Sequence, residues 1–140
     1  MSKEKWIRVA VYIDGEGGLD INSSLHHSTA GTPCTVYMCR VHVTNASMRL
    51  MKWLVKNFGG AFNVHNRSDQ NPNHQQCYRW YFKGGQKKLE KFLLAILPYL
   101  LIKREQALLL LDFVRMNGET NPEKRAELKA KVQALHKQTP

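Results

Sequence analysis

The sequence predicts an α+β domain, and three observations support this prediction. Hydrophobic residues make up 43% of the 140 residues, enough to build one core in a chain of ordinary domain length. The apolar spacing changes along the chain between the helical period of about 3.6 and the strand period of about two. Glycine and proline residues separate these periodic segments and mark their ends.

The first third of the chain indicates a helix followed by two strands. Residues 4–13 are mostly apolar, as in a largely buried helix, and the glycines within residues 14–18 are expected to end it. Residues 19–22 alternate apolar and polar side chains, which is typical of a half-buried strand, and residues 23–33 are polar enough for a loop. Residues 35–44 are rich in β-branched and aromatic side chains and indicate a second strand.

The remainder indicates another helix, a second pair of strands and three more helices. Asn45 or Ser47 can cap a helix over residues 48–58, and the glycines that follow are expected to end it. The other predicted elements are strands over residues 61–65 and 76–82, and helices over residues 86–97, 103–115 and from Asn121–Pro122 onward. The predicted order is therefore α-β-β-α-β-β-α-α-α.

The charge of the chain restricts its partners. Lys and Arg number 21 against 11 Asp and Glu, a net charge of +10, which favours a polyanion such as DNA, RNA or an anionic membrane face. The N-terminus lacks the hydrophobic segment of a secretion signal, and the longest apolar run, residues 92–102, is too short to span a bilayer. Three cysteines in a chain without a signal are expected to be reduced, so we expect an intracellular protein, cytoplasmic or organellar, that does not enter a membrane.

The middle part of the chain contains residue types that bind zinc: Cys34, Cys39, His42, His74 and Cys77. Their spacing fits no common zinc pattern, and Cys39 and His42 fall on opposite faces of the predicted strand. We therefore expect no zinc.

A motif at the end of the first predicted helix resembles the signature of the LAGLIDADG homing endonucleases. Residues 9–17, VAVYIDGEG, match its acidic-small-acidic-Gly ending. Further matches are TNAS at residues 44–47, FGG at residues 58–60, and LPYL at residues 97–100 followed by Lys103 and Gln106–Ala107. The resemblance extends over residues 6 to about 115.

This resemblance implies a fold and an activity. The fold would be an αββαββα core with a curved antiparallel four-stranded sheet, formed by residues 1–117, with residues 118–140 as a C-terminal helical extension packed on the same domain. The activity would be that of a homing endonuclease that hydrolyses double-stranded DNA at a long pseudo-palindromic site, with Mg²⁺ or Mn²⁺ as cofactor. The alternative is a non-cleaving relative, either a maturase that binds intron RNA or a DNA-binding protein.

The resemblance also implies the residues of the active site. Glu16 and the carbonyl group of Gly15 would bind the metal, and Lys103 would reach toward the scissile phosphate. Asn45 and Arg49 would lie around the metal-bound water, whereas Asp14 is interpreted as structural.

A homodimer follows from the presence of a single motif, because this family pairs two motif helices. The residues assigned to the dimer helix are Val9, Ala10 and Ile13. Close helix packing favours small residues, so Val11, at a position where the family has glycine, departs from the pattern.

Strand alternation predicts a DNA-binding face. The core-facing set is expected to be Leu19, Ile21, Tyr37, Cys39, Val41, Val43, Phe62, Val64, Tyr78, Trp80 and Phe82. The residues assigned to DNA binding are Asp20, Asn22, Ser24, Met38, Arg40, His42, Asn63, His65, Arg67, Arg79 and Tyr81. This outward set is rich in Asn, Arg and His side chains, which can hydrogen-bond to base edges in the major groove.

Overall fold

The computed structural model describes residues 2–27, 31, 33–65, 76–116 and 122–138. The helices are α1 (Lys3–Glu16), α2 (Met48–Phe58), α3 (Gln86–Ile96), α4 (Arg104–Arg115) and α5 (Pro122–Gln138), with a 3₁₀ turn at Leu97–Tyr99. The strands are β1 (Gly17–His27), β2 (Pro33–Asn45), β3 (Ala61–Val64) and β4 (Tyr78–Tyr81). The predicted α+β class is thus confirmed, and none of the described helices is long and apolar enough to cross a membrane.

The four strands form one antiparallel sheet in the order β1-β2-β4-β3. β1 and β2 pair along the whole of β1, whereas β3 and β4 form a short hairpin beside the end of β2. Among the inward side chains of the two long strands, Leu19, Ile21, Val41 and Val43 are fully or almost fully buried, whereas Tyr37 and Cys39 are partly buried against the same core. The alternation predicted for these strands is therefore confirmed.

The helices supply the other half of the core. α1 buries Val9, Ala10 and Ile13 completely, and α2 buries a helical stripe that includes Met51 and Leu54. Apolar side chains spaced three or four residues apart lie on one helix face, which explains why both helices pack through one side only.

Trp80 connects the sheet to the end of α2. Its ring is fully buried, and its Nε1–H donates to the carbonyl of Gly59 at 2.8 Å. Gly60 follows at φ +80°, where a Cβ atom would lie 2.1 Å from the carbonyl oxygen of Tyr81. Only glycine fits here, so this turn holds β3 in register with β4.

Two predicted boundaries in the first third are wrong. The helix does not end at Ile13 but continues to Glu16, because its last turn is supported by contacts of the Asp14 side chain that are described below. Residues 23–27, predicted as loop, extend β1. Their backbone groups pair with β2, so polar side chains are accommodated on a strand.

One predicted core residue is also wrong. Val64 is 54% exposed. Burial falls along β3, from the half-buried Phe62 to the exposed Asn63 and Val64. This short edge strand leaves the core at its C-terminal end.

α5 packs against α4 and along β1, the outer strand of the sheet. Val132 is buried at the contact, Lys129 Nζ donates to Ser23 Oγ at 2.5 Å, and His136 Nε2 lies 3.0 Å from the carbonyl oxygen of Leu19. The C-terminal helix therefore contributes to the same core.

Candidate active site and nucleic-acid interface

The end of α1 brings the first candidate residues together. Glu16 is exposed in the last helical turn, and its carboxylate accepts a hydrogen bond from Asn45 Nδ2, at the end of β2. Asn45 Oδ1 in turn accepts from the backbone N–H of Ser47 at 2.8 Å, and Ser47 Oγ caps α2. The amide of Asn45 is therefore held on both sides and fixes the position of Glu16.

Asp14 joins α1 to the segment that carries Lys103. Its carboxylate accepts the backbone N–H groups of Leu101, Ile102 and Lys103 at 2.7, 3.2 and 2.9 Å. Its own carbonyl accepts Lys103 Nζ at 2.7 Å. Asp14 thus has a structural position, and it holds the Lys103 ammonium group at the same end of α1 as Glu16.

The surroundings of Lys103 alter its acidity. Burial lowers the pKa of the Lys103 ammonium group, and the nearby Asp14 carboxylate opposes this effect. A half-buried ammonium that is poorly solvated on the protein side has more to gain from an anionic ligand than an ordinary surface lysine has.

Gly15 and Arg49 complete the candidate set. Gly15 is exposed in the last turn of α1, where backbone carbonyls lack intrahelical partners. Arg49 is exposed on the first turn of α2, four residues after Asn45. Four elements therefore meet at this end of the molecule: α1, β2, α2 and the segment before α4.

The oxygen donors of this site suit Mg²⁺ or Mn²⁺, which prefer carboxylate, carbonyl and water ligands. One chain supplies a single carboxylate, that of Glu16. Within the part of the chain that the structure describes, no three His, Cys, Asp or Glu side chains are grouped to hold a metal. A metal here would therefore need ligands from DNA, water or a second chain.

The thiol of Cys39 is a poor metal ligand. Burial, with a smaller contribution from Asp20, raises its pKa to about 12, so it stays protonated at neutral pH. It faces the core, and its Sγ lies 4.0 Å from the carbonyl oxygen of Leu110. The side chain of Cys34 and all of His74 lie outside the described residues.

The outer face of the sheet, opposite the helices, carries the predicted DNA-binding residues in register. Asp20 lies across from Arg40, and Arg79 lies across from both Thr44 and Asn63. The exposed members of the set are Asn22, Ser24, Met38, Arg40 and Asn63. The half-buried members are Asp20, His42, His65, Arg79 and Tyr81, whereas Arg67 lies outside the described residues.

Both described arginines of this outer face are held by neighbouring side chains. Arg40 Nε and Nη2 donate to the two carboxylate oxygens of Asp20 at 2.8 and 3.2 Å. Arg79 Nε donates to Thr44 Oγ1 at 2.9 Å, and its Nη2 lies 3.1 Å from His65 Nε2. The guanidinium groups are therefore positioned before any ligand binds.

The His42 ring lies close to Gly18, its cross-strand partner in β1. A Cβ atom on Gly18 would lie 2.4 Å from His42 Nε2, so any side chain at this position would displace the ring. Burial, and next the charge of Arg79, lower the pKa of His42 to about 4, although Asp20 opposes them. The ring is therefore neutral at pH 7, and its buried Nδ1 has no hydrogen-bond partner among the described residues.

An open pocket of about 370 Å³ connects the outer face with the end of α1. Its lining includes His42 and Asp20 from the sheet, Lys103 from the segment before α4, and His136 from α5. The candidate active site and the candidate DNA-binding face are therefore continuous.

The structure does not support the residues assigned to the dimer helix. Val9, Ala10 and Ile13 are completely buried in the core of their own chain. The exposed apolar residues of α1 are Ile7 and Val11, and with Gly15 they form a stripe spaced by four residues. This spacing was visible in the sequence and distinguishes the outer face of the helix from the buried one.

Comparison with known proteins identifies the fold. No family model and no curated protein matches the sequence. Among solved structures, the homing endonuclease I-CvuI in complex with the I-CreI target matches with a TM-score of 0.70 and 22% identity over 95% of this chain and 82% of that chain. The archaeal intron-encoded homing endonuclease I-Vdi141I, complexed with DNA, matches with a TM-score of 0.71 and 16% identity over 98% and 85%.

A third similar structure is about twice as long. The LAGLIDADG homing endonuclease I-SmaMI bound to cleaved DNA has a TM-score of 0.66 and 19% identity, and the match covers all of this chain but 49% of that one. This chain thus corresponds to about half of I-SmaMI and to most of I-CvuI and I-Vdi141I. The structural neighbours are LAGLIDADG homing endonucleases, and this chain has the fold of that family.

Proposed function

We propose that the chain is a divalent-metal-dependent endonuclease that cleaves double-stranded DNA at a specific site as a homodimer. The observation that carries this proposal is the position of Glu16, an exposed carboxylate held by Asn45 at the end of α1. The structural neighbours, which include homing endonucleases complexed with DNA, support a DNA endonuclease function.

The exposed stripe of α1 supports a homodimer. Val11 is 59% exposed, and Leu101 and Ile102, whose backbone binds Asp14, are 86% and 51% exposed. Exposed apolar side chains of this size, grouped around one helix, favour an interface between protein chains. A twofold axis along this stripe would bring two α1 helices together, with one Glu16 from each chain at the end of the pair.

Paired Glu16 carboxylates and Gly15 carbonyls would hold Mg²⁺ or Mn²⁺. When bound, such ions supply an activated water and stabilise the departing oxygen of a phosphodiester. Asn45 orients Glu16 through its amide group. The ammonium of Lys103 and the guanidinium of Arg49 would contact the scissile and neighbouring phosphates, where positive charge stabilises the developing negative charge.

The outer face of the sheet would contact the DNA bases. Its exposed amide and guanidinium groups match base edges in the major groove, and it is continuous with the site at the end of α1. Two chains, each with a net charge of +10, would present two such faces related by a twofold axis. A long pseudo-palindromic site follows from this symmetry.

Val11 favours a second candidate function. Its branched side chain stands on the exposed stripe, where close contact between two helices favours a small residue. A wider crossing would separate the two Glu16 carboxylates and leave a protein that binds DNA, or intron RNA as a maturase, without cleaving it.

Cleavage of a randomised DNA library in the presence of Mg²⁺ tests the proposal. We expect the wild-type chain to release a defined set of cut duplexes, and the Glu16→Gln variant to bind the same duplexes without cutting them. Glu4→Gln is the matched control, because Glu4 is an exposed carboxylate at the opposite end of α1. Specific binding without cleavage by the wild-type chain would instead favour the second candidate.

A further inference from the structure

We propose that Asp20 is a specificity residue that braces Arg40 on the outer face of the sheet, so that Arg40 reads a guanine base in DNA. This inference rests on the proposed function, since it assigns a role to one pair of residues on the DNA-binding face. In this inference Asp20 does not contact a base; it acts by positioning Arg40.

Arg40 and Asp20 form a bidentate ion pair. Asp20 and Arg40 are direct cross-strand partners of β1 and β2, and both side chains lie on the outer face. Arg40 Nε meets Asp20 Oδ1 at 2.8 Å, and Nη2 meets Oδ2 at 3.2 Å. Two parallel hydrogen bonds between a planar fork and a carboxylate fix the orientation of the guanidinium plane.

The donors that remain on Arg40 define what it can bind. A guanidinium carries five N–H donors, and Asp20 occupies one on Nε and one on Nη2. The end of the fork, with one N–H on Nη2 and two on Nη1, is not used by this pair. That end matches the two acceptors, O6 and N7, which guanine presents in the major groove.

The exposure of the two side chains also favours Arg40 as the residue that contacts a ligand. The Arg40 side chain is 45% exposed, whereas that of Asp20 is 20% exposed. Asp20 Oδ2 also lies 3.9 Å from His42 Nε2, so the carboxylate is enclosed between two side chains while the guanidinium remains accessible. A ligand that approaches the sheet therefore meets Arg40 first.

Charge explains why such a pair favours discrimination over affinity. An unpaired arginine on a long side chain can turn toward a phosphate, which every DNA sequence provides. Asp20 neutralises this charge locally and holds the side chain in place, which reduces the ordering cost of a base contact. We infer that the pair lowers general affinity for DNA and raises selectivity for one base pair in each half-site.

Base preference and salt dependence of the Asp20→Ala variant test this inference. Duplexes selected by the wild-type chain from a randomised pool are titrated with each base pair substituted in turn. We expect the wild-type chain to prefer guanine at one symmetric position by at least about tenfold. In Asp20→Ala this preference should fall below about threefold, and the slope of log K against log salt should become more negative by about 0.9 for each arginine released to a phosphate.

Two further variants make the result specific. Arg40→Gln removes the guanidinium fork, and its amide group matches adenine rather than guanine in the major groove, so it should lose the preference for guanine. Glu90→Ala is the matched control, because it breaks a carboxylate–arginine pair with Arg115, between α3 and α4, and should change neither readout.

The outcomes separate this inference from the proposed function. If the Asp20→Ala variant binds specific sequences with an unchanged base preference, the role given to Asp20 is wrong and the proposed function is unaffected. If the wild-type chain does not bind duplex DNA, both the proposed function and the role given to Asp20 are wrong.

Discussion

Asp14 and Lys103, which lie 89 residues apart, are joined twice: the Asp14 carboxylate accepts the Lys103 amide N–H at 2.9 Å, and the Asp14 carbonyl accepts the Lys103 ammonium at 2.7 Å. The first contact fixes the backbone before α4, and the second fixes the side-chain end. Together they tie an exposed segment to the end of α1.

Asp14→Ala should destabilise the chain and slow DNA cleavage. The variant leaves three backbone N–H groups without their acceptor, so we expect a loss of about 2 kcal/mol in the free energy of unfolding. Cleavage should fall at least about tenfold because Lys103 is no longer held at the site. Urea unfolding and cleavage rates measure the two effects; Asp112→Ala, at an exposed carboxylate of α4, is the control. Equal stability of the two variants would contradict the structural role of Asp14.

Lys103→Met should abolish cleavage while leaving DNA binding within a few fold. We expect a loss of at least about 100-fold in the single-turnover rate, the order seen when one preorganised electrostatic donor is removed. Lys56→Met, at an exposed lysine of α2, should retain the wild-type rate. If both variants reduced the rate to the same small extent, Lys103 would contribute only its positive charge and no specific contact at the site.

The pH dependence of cleavage should show the same ammonium group. Burial lowers the pKa of Lys103, and a lysine is active as a donor only below its pKa. The cleavage rate should therefore decline on the alkaline side at a lower pH than an ordinary lysine would cause. Its midpoint, read from the pH profile of kcat/KM, which reports the free chain, should fall below 10.5; a flat alkaline limb would exclude this role.

Val11→Lys should convert a homodimer into a monomer. A charged side chain in the centre of the exposed α1 stripe opposes contact between two apolar surfaces. Sedimentation velocity at micromolar concentration should show half the mass of the wild type, and cleavage should be lost with it. Leu108→Lys, on α4, places the same charge at a comparably exposed leucine and should leave the dimer intact. A wild-type chain that sediments as a monomer would contradict the paired site.

His42 should make the chain less stable at mildly acidic pH. The pKa of His42 is lowered to about 4 in the folded chain, from 6.5 when unperturbed, so between these values only the unfolded chain binds the proton. The free energy of unfolding should thus decrease as pH falls from about 6.5 toward 4, by at most about 1.4 kcal/mol per pH unit. His42→Gln, compared by urea unfolding at pH 7 and pH 5, should show a smaller decrease. An identical decrease would show that His42 does not contribute.

Elements whose ends are encoded locally could be predicted from the sequence. The bounds predicted for α2 match because Ser47 caps its start and Gly59 follows its end at φ +75°. For α1, the glycine segment that ends the helix was predicted, but its last residue was not: the helix continues past Gly15 to Glu16, and the Asp14 side chain in this last turn is bound by residues about 90 positions away. Local signals describe caps and turns, whereas this helix end depends on the tertiary structure.

The candidate site shows the same division. Strand alternation predicted which side chains share the outer face, since the faces follow from period two alone. It did not predict that Asp20 and Arg40 are partners, because strand register depends on the connection between β1 and β2. It also did not separate the buried face of α1 from the exposed one, although the four-residue spacing of Ile7, Val11 and Gly15 contained that signal.

The packing of α5 along β1 protects one edge of the sheet. A long outer strand with polar side chains is a template onto which another chain can add a strand. Here the Leu19 carbonyl of that strand has His136 beside it, and Ser23 has Lys129. Addition of another strand is thereby hindered along β1, so this edge of the sheet is protected from aggregation.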